Sequence, residues 1–121
     1  MSFFAVVNQA GPAWQRGRPM REQAAWPAHA AFMNDLAETG FVVLGGPLGD
    51  GSPHRALLIV EAPSEQEVQR RLAEDPWSRS GLLTMTSIEP WEILLDGQGP
   101  DQPASSSTAR ARARSLSSPA G

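Results

Sequence analysis

Residues 26–44 read WPAHAAFMNDLAETGFVVL, and this stretch predicts a helix followed directly by a buried strand. Pro27 is favoured in the first turn of a helix, and the residue before a proline is biased away from helical dihedral angles. Gly40 suits the left-handed position just past a helix end. We therefore predict a helix over residues 27–39 and a strand over residues 41–44. The apolar face of the helix is His29, Phe32, Met33 and Leu36.

The segments on either side of this stretch continue the succession of strands and helices. Residues 3–7 and 56–60 are apolar throughout, so each predicts a buried strand. The run Ser64–Glu67 matches a capping box and begins a second helix, which must end before Pro76. A last strand is predicted over residues 82–94.

Glycine and proline residues mark the connections. Residues 10–21 and 45–53 each hold several of them and are predicted to be loops, the second of which lets the chain turn beside a pocket. The segment WSRSG at 77–81 is predicted to be a short connection. Pro90 interrupts the last strand, which places that strand at a sheet edge or a bulge.

The resulting order of strand, helix, strand, strand, helix, strand is typical of a ferredoxin-like α+β fold, the βαββαβ pattern. Right-handed crossovers place both helices on one face of a four-stranded antiparallel sheet. The other face is then bare, yet the strands over residues 41–44 and 56–60 are apolar on both sides. A large exposed apolar face usually marks an interface, so we predict a homodimer that packs sheet against sheet.

Composition divides the 121 residues into a body over 1–96 and a tail over 97–121. The tail holds six Ser, five Ala and three Pro, and its only large apolar residue is Leu116, so it is predicted to be disordered. Its three arginines are interpreted as solvated charges rather than an arm for an anionic partner. The body carries seven Arg against twelve acids, a balance that argues against a nucleic-acid partner.

Absent residue types narrow the chemistry that is available. The chain has no Cys, Lys or Tyr, which excludes a disulfide framework, a cysteine nucleophile, a lysine Schiff base and phenolic acid catalysis. Its two histidines lack metal-binding spacing, so we predict no metal site and no cofactor. No apolar run reaches the ~18 residues of a spanning helix, and no basic segment precedes the first apolar residues. We therefore expect a cytoplasmic protein without a membrane partner.

Two residues are candidates for acid–base chemistry. His29 lies on the apolar face of the first predicted helix, where an imidazole is either a hydrogen-bonded core residue or a proton-transfer group at a pocket. Asp75 precedes Pro76 and is either a turn residue or a carboxylate that reaches His29 and orients its ring. The sequence leaves both alternatives open. His54, which follows a loop, is interpreted as an exposed loop residue.

Candidate substrate-binding residues are arginines and tryptophans. Three arginines cluster in the loop before the first helix, and a guanidinium that enters a pocket would bind an anionic substrate. The candidate among them is Arg21. Four tryptophans either line an apolar pocket or fill the core, and Trp26 and Trp77 are the candidates for the pocket. The remaining members of the two sets are Arg16, Arg18, Trp14 and Trp91.

Four motifs occur in the body in a specific order. The run HAAFMNDLAETGFVVLGGPL at residues 29–48 is followed by AEDPW at 73–77, by Gly-Leu at 81–82 and by IEPW at 88–91. Each motif is short, but the four together, in this order and spacing, resemble the YCII-related family. The likeness runs over about residues 3–95, nearly the whole body.

This resemblance implies a ferredoxin-like fold that dimerises into an α/β barrel, with an active site built on a His–Asp pair. Matched residue by residue, the histidine is His29 and the aspartate of the Asp-Pro motif is Asp75. Gly46 and Pro47 match the family's Gly-Pro at the end of the second strand and are implied as substrate-binding residues. The chain departs from the common pattern at Trp77, where Phe or Tyr often stands, and in its Arg-rich loop, so the substrate is not implied.

Two functions of different classes follow. The first is a small cofactor-independent enzyme, of lyase or isomerase type, in which the His29–Asp75 pair transfers a proton on a small, anionic organic substrate. Elimination or isomerisation suits a single acid–base pair. The alternative is a non-enzymatic dimeric module that binds a small molecule or serves as an accessory subunit. A third hypothesis is a structural dimer without a pocket.

Overall fold

The computed structural model of this protein describes residues 1–97. The elements are β1 (Ser2–Ala10), a 3₁₀ helix (Met20–Glu22), α1 (Trp26–Glu38), β2 (Val42–Leu48), β3 (Arg55–Ala62), α2 (Glu65–Leu72), α3 (Pro76–Ser80) and β4 (Leu83–Pro90). The strands form one antiparallel sheet in the order β2-β3-β1-β4. The predicted ferredoxin-like α+β fold with a four-stranded antiparallel sheet is confirmed. The predicted tail over 97–121 lies, apart from Gly97, outside the described residues and stays a prediction.

The core lies between the sheet and the helices α1 and α2. Alternate residues of β1 and β3 point to this side, as the two-residue period of a strand requires. Because both helices contribute to the same buried cluster, both cover the same face of the sheet, as predicted. The cluster is Phe4, Val6, Met33, Leu36, Phe41, Val42, Leu58, Val60, Ala62, Val68 and Leu72. Across residues 1–97, no helix is both long and apolar enough to cross a membrane.

The starts of the two long helices follow local signals in the sequence. Helix α1 begins at Trp26, one residue earlier than predicted, because Ala25 takes the irregular conformation at the boundary, with φ of 60°. Trp26 is helical although a proline follows it, and its ring packs near the rings of His29 and Trp77, at 5.8 Å and 5.6 Å between centroids. In α2, the Ser64 hydroxyl accepts a first-turn backbone N–H at 3.2 Å, which is the predicted cap.

Strand β2 departs from the prediction. A strand ending at residue 44 was expected, followed by a loop, but β2 runs Val42–Leu48 and includes the segment Gly45–Pro47. β2 is an edge strand, where a proline's missing N–H need not interrupt the ladder. A Cβ at Gly45 would lie only 2.7 Å from the Leu58 side chain on β3, so glycine permits the close approach. The loop prediction is therefore wrong for this segment.

The short connection predicted at residues 77–81 is instead the helix α3. The Asp75 side chain caps it, Pro76 occupies its first turn, and Gly81 ends it in a left-handed conformation with φ of 83°. Strand β4 then stops at Pro90, earlier than the predicted residue 94, and lies at a sheet edge, as Pro90 predicted. Helix α3 matters for the site because it fixes the position of Asp75.

Candidate functional site

The site centres on a buried contact between a histidine and an aspartate that are 46 positions apart in the chain. The His29 Nδ1–H donates to both Asp75 oxygens, at 2.8 Å to Oδ1 and 2.9 Å to Oδ2. The two residues are 9% and 3% exposed, respectively. The contact that the sequence left open is therefore present, inside the protein rather than on its surface.

Local structure at the Asp75–Pro76 step explains why the carboxylate points at the histidine. Asp75 is the N-cap of α3, and its Oδ1 accepts the Trp77 backbone N–H at 3.0 Å. A capping aspartate is held by the helix that follows it. The sequence element that begins α3 thus also fixes the orientation of the partner of His29.

This geometry assigns different roles to the two nitrogens of the His29 ring. An ionised carboxylate only accepts hydrogen bonds, so Asp75 keeps the proton of the neutral imidazole on Nδ1. Nε2 then carries the lone pair, and no hydrogen bond joins it to any other residue in the described part of the chain. Such a pair can accept a proton at Nε2 while the carboxylate stabilises the resulting imidazolium.

Two tryptophans frame the histidine. The Trp77 ring is fully buried and stacks on the imidazole, with 3.9 Å between centroids and an interplanar angle of 6°. Its Nε1–H donates to the Ala24 carbonyl at 2.7 Å, which fixes the indole. The Trp26 ring lies 5.8 Å from the imidazole. The predicted pocket tryptophans, Trp26 and Trp77, therefore both contact His29.

A cavity of about 150 Å³ opens beside His29. It lies between α1 and the end of β2, and Gly46 and Pro47 contribute to its wall. Most of its lining is apolar, which is typical of small-molecule sites. An engineered cavity of about this volume in another protein binds benzene, so the space suits a single six-membered ring.

Asn8 is a polar residue in this pocket that is not among the predicted site residues. It lies on β1 on the side that faces the helices, is 7% exposed, and lines the cavity together with His29. It brings an amide group to a lining that is mostly apolar. The signal was available, since Asn8 continues the inward alternation of Phe4 and Val6 with a polar group.

His54 also belongs to the site, contrary to its interpretation as an exposed loop residue. It lines the cavity, is half-buried, and stacks on Trp14 with 4.4 Å between centroids. Partial burial lowers the pKa of His54 below the ordinary value of 6.5, and the charge of a protonated His29 lowers it further. The neutral form of His54 is therefore favoured, which leaves a second uncharged imidazole at the pocket.

Arg21, the last of the predicted site residues, lies outside the cavity, as does Trp91. The Arg21 guanidinium rests over the Trp26 ring, 5.5 Å from its centroid, and does not line the cavity. Trp91 is 43% exposed and away from the pocket. Across residues 1–97, no three His, Asp or Glu side chains form a cluster that could hold a metal ion.

Comparison with known proteins places the chain in a family. The model of the YCII-related domain matches residues 2–92, most of the chain. The chain belongs to the YCII-related family. No curated protein matches this YCII-related chain.

Among solved structures, the YCII-related chain is similar to a 5-chloro-2-hydroxyhydroquinone dehydrochlorinase from Burkholderia phenoliruptrix, in complex with 2,5-dihydroxybenzoquinone. The two are 26% identical, and the match covers 74% of this chain and 93% of that one with a TM-score of 0.54. That neighbour is thus an enzyme with a small ring-shaped ligand. The predicted family and fold are confirmed by these two findings.

Proposed function

We propose that this protein is a small enzyme of lyase or isomerase type that transfers a proton on a ring-shaped organic substrate through His29. The observation that carries the proposal is the buried His29–Asp75 hydrogen bond beside a cavity of about 150 Å³. The dehydrochlorinase activity named for the similar structure supports an elimination reaction. The required chemistry is proton transfer at one nitrogen atom.

The proton path follows from the two roles of the imidazole. Nε2 takes a proton from a ring hydroxyl or ring carbon, and the freed electron pair forms a new double bond as a leaving group departs as an anion. The proton and the anion together account for the eliminated acid. Asp75 stays ionised and stabilises the imidazolium, which later releases its proton. In an isomerisation, the imidazolium instead returns the proton to another substrate atom.

Asn8 supports a substrate that carries ring oxygens. An amide in the wall of a small cavity can donate to, and accept from, a hydroxyl or carbonyl group of a bound ring. Asn8 and His29 line the same small cavity, so a single ring there is within reach of both side chains. Asn8 is therefore proposed to orient the ring for proton transfer.

Turnover tests the proposal. The wild-type protein would be incubated with 5-chloro-2-hydroxyhydroquinone and a panel of related halogenated and hydroxylated rings, while halide release and ring absorbance are followed. We expect turnover of at least one ring, and a loss of about 10²–10⁴-fold in rate for H29Q, the usual contribution of a general base. D35N is the matched control, because Asp35 is an exposed residue of the same helix.

The same experiment separates the enzyme from the binding module. Rings that bind the wild-type protein without any turnover would support a non-enzymatic small-molecule-binding protein and contradict the proposed activity. Turnover that survives in H29Q, with the fold unchanged by circular dichroism, would also contradict it.

We also propose that the protein forms a homodimer through the outer face of the sheet, the face opposite the helices. Strand alternation and register place apolar residues there, since Ala5 pairs with Ile59 and Val7 pairs with Leu57. At the β2 edge, Leu44 pairs with Ile59 and is 50% exposed. Apolar side chains on a sheet face that neither α1 nor α2 covers favour association with a second such face.

A further inference from the structure

A second, larger cavity adjoins the pocket of His29. Its volume is about 830 Å³, and its walls come from the end of β1, the loop that follows β1, and residues 51–54. Met20 and His54 line both cavities, so the two spaces meet at these side chains. A substrate bound at His29 therefore has room to extend a side chain of its own directly into the larger cavity.

The larger cavity is basic in a protein body that is acidic overall. Arg16 and Arg18 line it, and none of the residues that line it is acidic. Within residues 1–97, neither guanidinium forms a salt bridge. Two guanidinium groups without a carboxylate partner are suited to bind a carboxylate or a phosphate, because each presents paired N–H donors.

The loop that carries these arginines is held in place from inside the protein. Gln23 is 3% exposed, and its side chain accepts the Gln15 backbone N–H and donates to the Gln15 and Arg18 carbonyls, each at 2.9 Å. One buried amide thus binds the loop on both sides of Arg16. Such ordering before ligand arrival lowers the entropy cost of binding.

Aromatic contacts join the two cavities through a continuous wall. The Trp14 ring stacks on His54 at 4.4 Å and meets the Trp77 ring edge-on at 5.5 Å. Trp77 in turn stacks on His29. The basic cavity is therefore built against the same aromatic residues that frame the proton-transfer site.

We propose that the larger cavity binds an anionic group, a carboxylate or a phosphate, at the end of a side chain on the substrate ring. This inference rests on the proposed function for the position of the ring, and it assigns anion binding to Arg16 and Arg18 rather than to Arg21. The substrate class is then an oxygenated six-membered ring with an anionic tail long enough to pass His54.

The test is a binding series that does not depend on turnover. Phenylacetate, 3-phenylpropionate, 4-phenylbutyrate and 6-phenylhexanoate would be titrated against tryptophan fluorescence and side-chain NMR signals of arginine and histidine, with the matching amides and phenylalkyl phosphates beside them. We expect the best anion to bind at least about tenfold more tightly than its amide at low salt. The preference should shrink as salt rises, because the guanidiniums are exposed.

Arginine variants test which side chains bind the anionic group. The double variant R16Q/R18Q should abolish the preference for acid over amide, whereas R79Q, which removes an exposed arginine that lines neither cavity, should retain it. A stronger response to carboxylates or to phosphates identifies the anion, and either supports the inference. Equal binding of acid and amide, an unchanged preference in R16Q/R18Q, or no arginine signal change at millimolar ligand would overturn it. Anion binding that persists while all rings fail to turn over would instead count only against the proposed enzyme.

Discussion

At the scale of single residues, one carboxylate performs two tasks. Asp75 caps α3 through the Trp77 N–H and accepts the Nδ1–H of His29 with both oxygens. Because the cap fixes the carboxylate before any ligand binds, the imidazole ring is held in one orientation. An aspartate before a proline looks like an ordinary turn residue in the sequence, and its second task depends on a contact across the fold.

Replacing Asp75 with asparagine separates these two tasks. Asparagine also caps helices well, so D75N should fold with little change in stability. Its amide can present N–H groups to the imidazole, which favours the tautomer with the proton on Nε2. We expect the rate to fall by about 10²–10⁴-fold while ligand binding persists, and D35N to behave as wild type. A fully active D75N would show that the carboxylate does not set the tautomer.

His54 gives a prediction about pH. Its lowered pKa means that the unfolded chain takes up a proton on this residue at a higher pH than the folded protein does. Stability from this group is therefore complete above the ordinary pKa of 6.5 and falls as the pH drops from there toward the lowered value. Urea unfolding at about pH 7.5 and 5.5 should show that acidification lowers the free energy of unfolding less for H54Q than for the wild type. Equal losses, or an NMR titration midpoint for His54 at or above 6.5, would contradict this assignment.

At the scale of elements, the sequence of α3 carries clear helix signals, although a short connection was predicted there. The run from Asp75 to Gly81 carries a cap, a first-turn proline and a terminal glycine, which together specify a short helix. Strand β2 is the opposite case, since Gly45–Pro47 carry loop signals and pairing with β3 overrides them. Local signals thus predicted the element order, while pairing decided how far β2 runs.

A substitution at Gly81 tests whether α3 holds Asp75 in position. Its φ of 83° is a conformation that glycine adopts readily and alanine does not. We expect G81A to lower the free energy of unfolding by about 1 kcal/mol in urea denaturation, while R79A in the same helix changes it little. If G81A is destabilised, the NMR signal of the His29 Nδ1 proton should also be weaker than in the wild type. Unchanged stability in G81A would mean that the end of α3 is less constrained than its geometry indicates.

At the scale of the whole molecule, the fold could be predicted from the sequence, whereas the candidate site could be predicted only in part. Hydrophobic periodicity and the capping signals sufficed for a four-stranded sheet with both helices on one face. His29 and Asp75 were predicted as site residues from their side-chain chemistry and from the family resemblance. The alternation of β1 could have identified Asn8. His54 and the arginines of the larger cavity could not be placed, because their positions depend on which loops meet in space.

The outer face of the sheet gives a prediction for assembly. If two copies pack there, a charge at Leu44 would be buried against apolar surface at a large cost. We expect the wild-type protein to sediment as a dimer at micromolar concentration and L44E to sediment as a folded monomer. Q69E, on the exposed side of α2, is the control and should remain a dimer. A monomeric wild-type protein would contradict the proposed interface.

The most direct test of the central claim is the protonation of the His29 ring, measured by ¹⁵N NMR in the free protein and with 2,5-dihydroxybenzoquinone added. We predict that Nδ1 carries the proton at neutral pH, that Nε2 is unprotonated, and that the ring ligand shifts the Nε2 signal most. A ring with its proton on Nε2, or an Nε2 signal that no ring ligand perturbs, would contradict the assignment of His29 as the proton-transfer group.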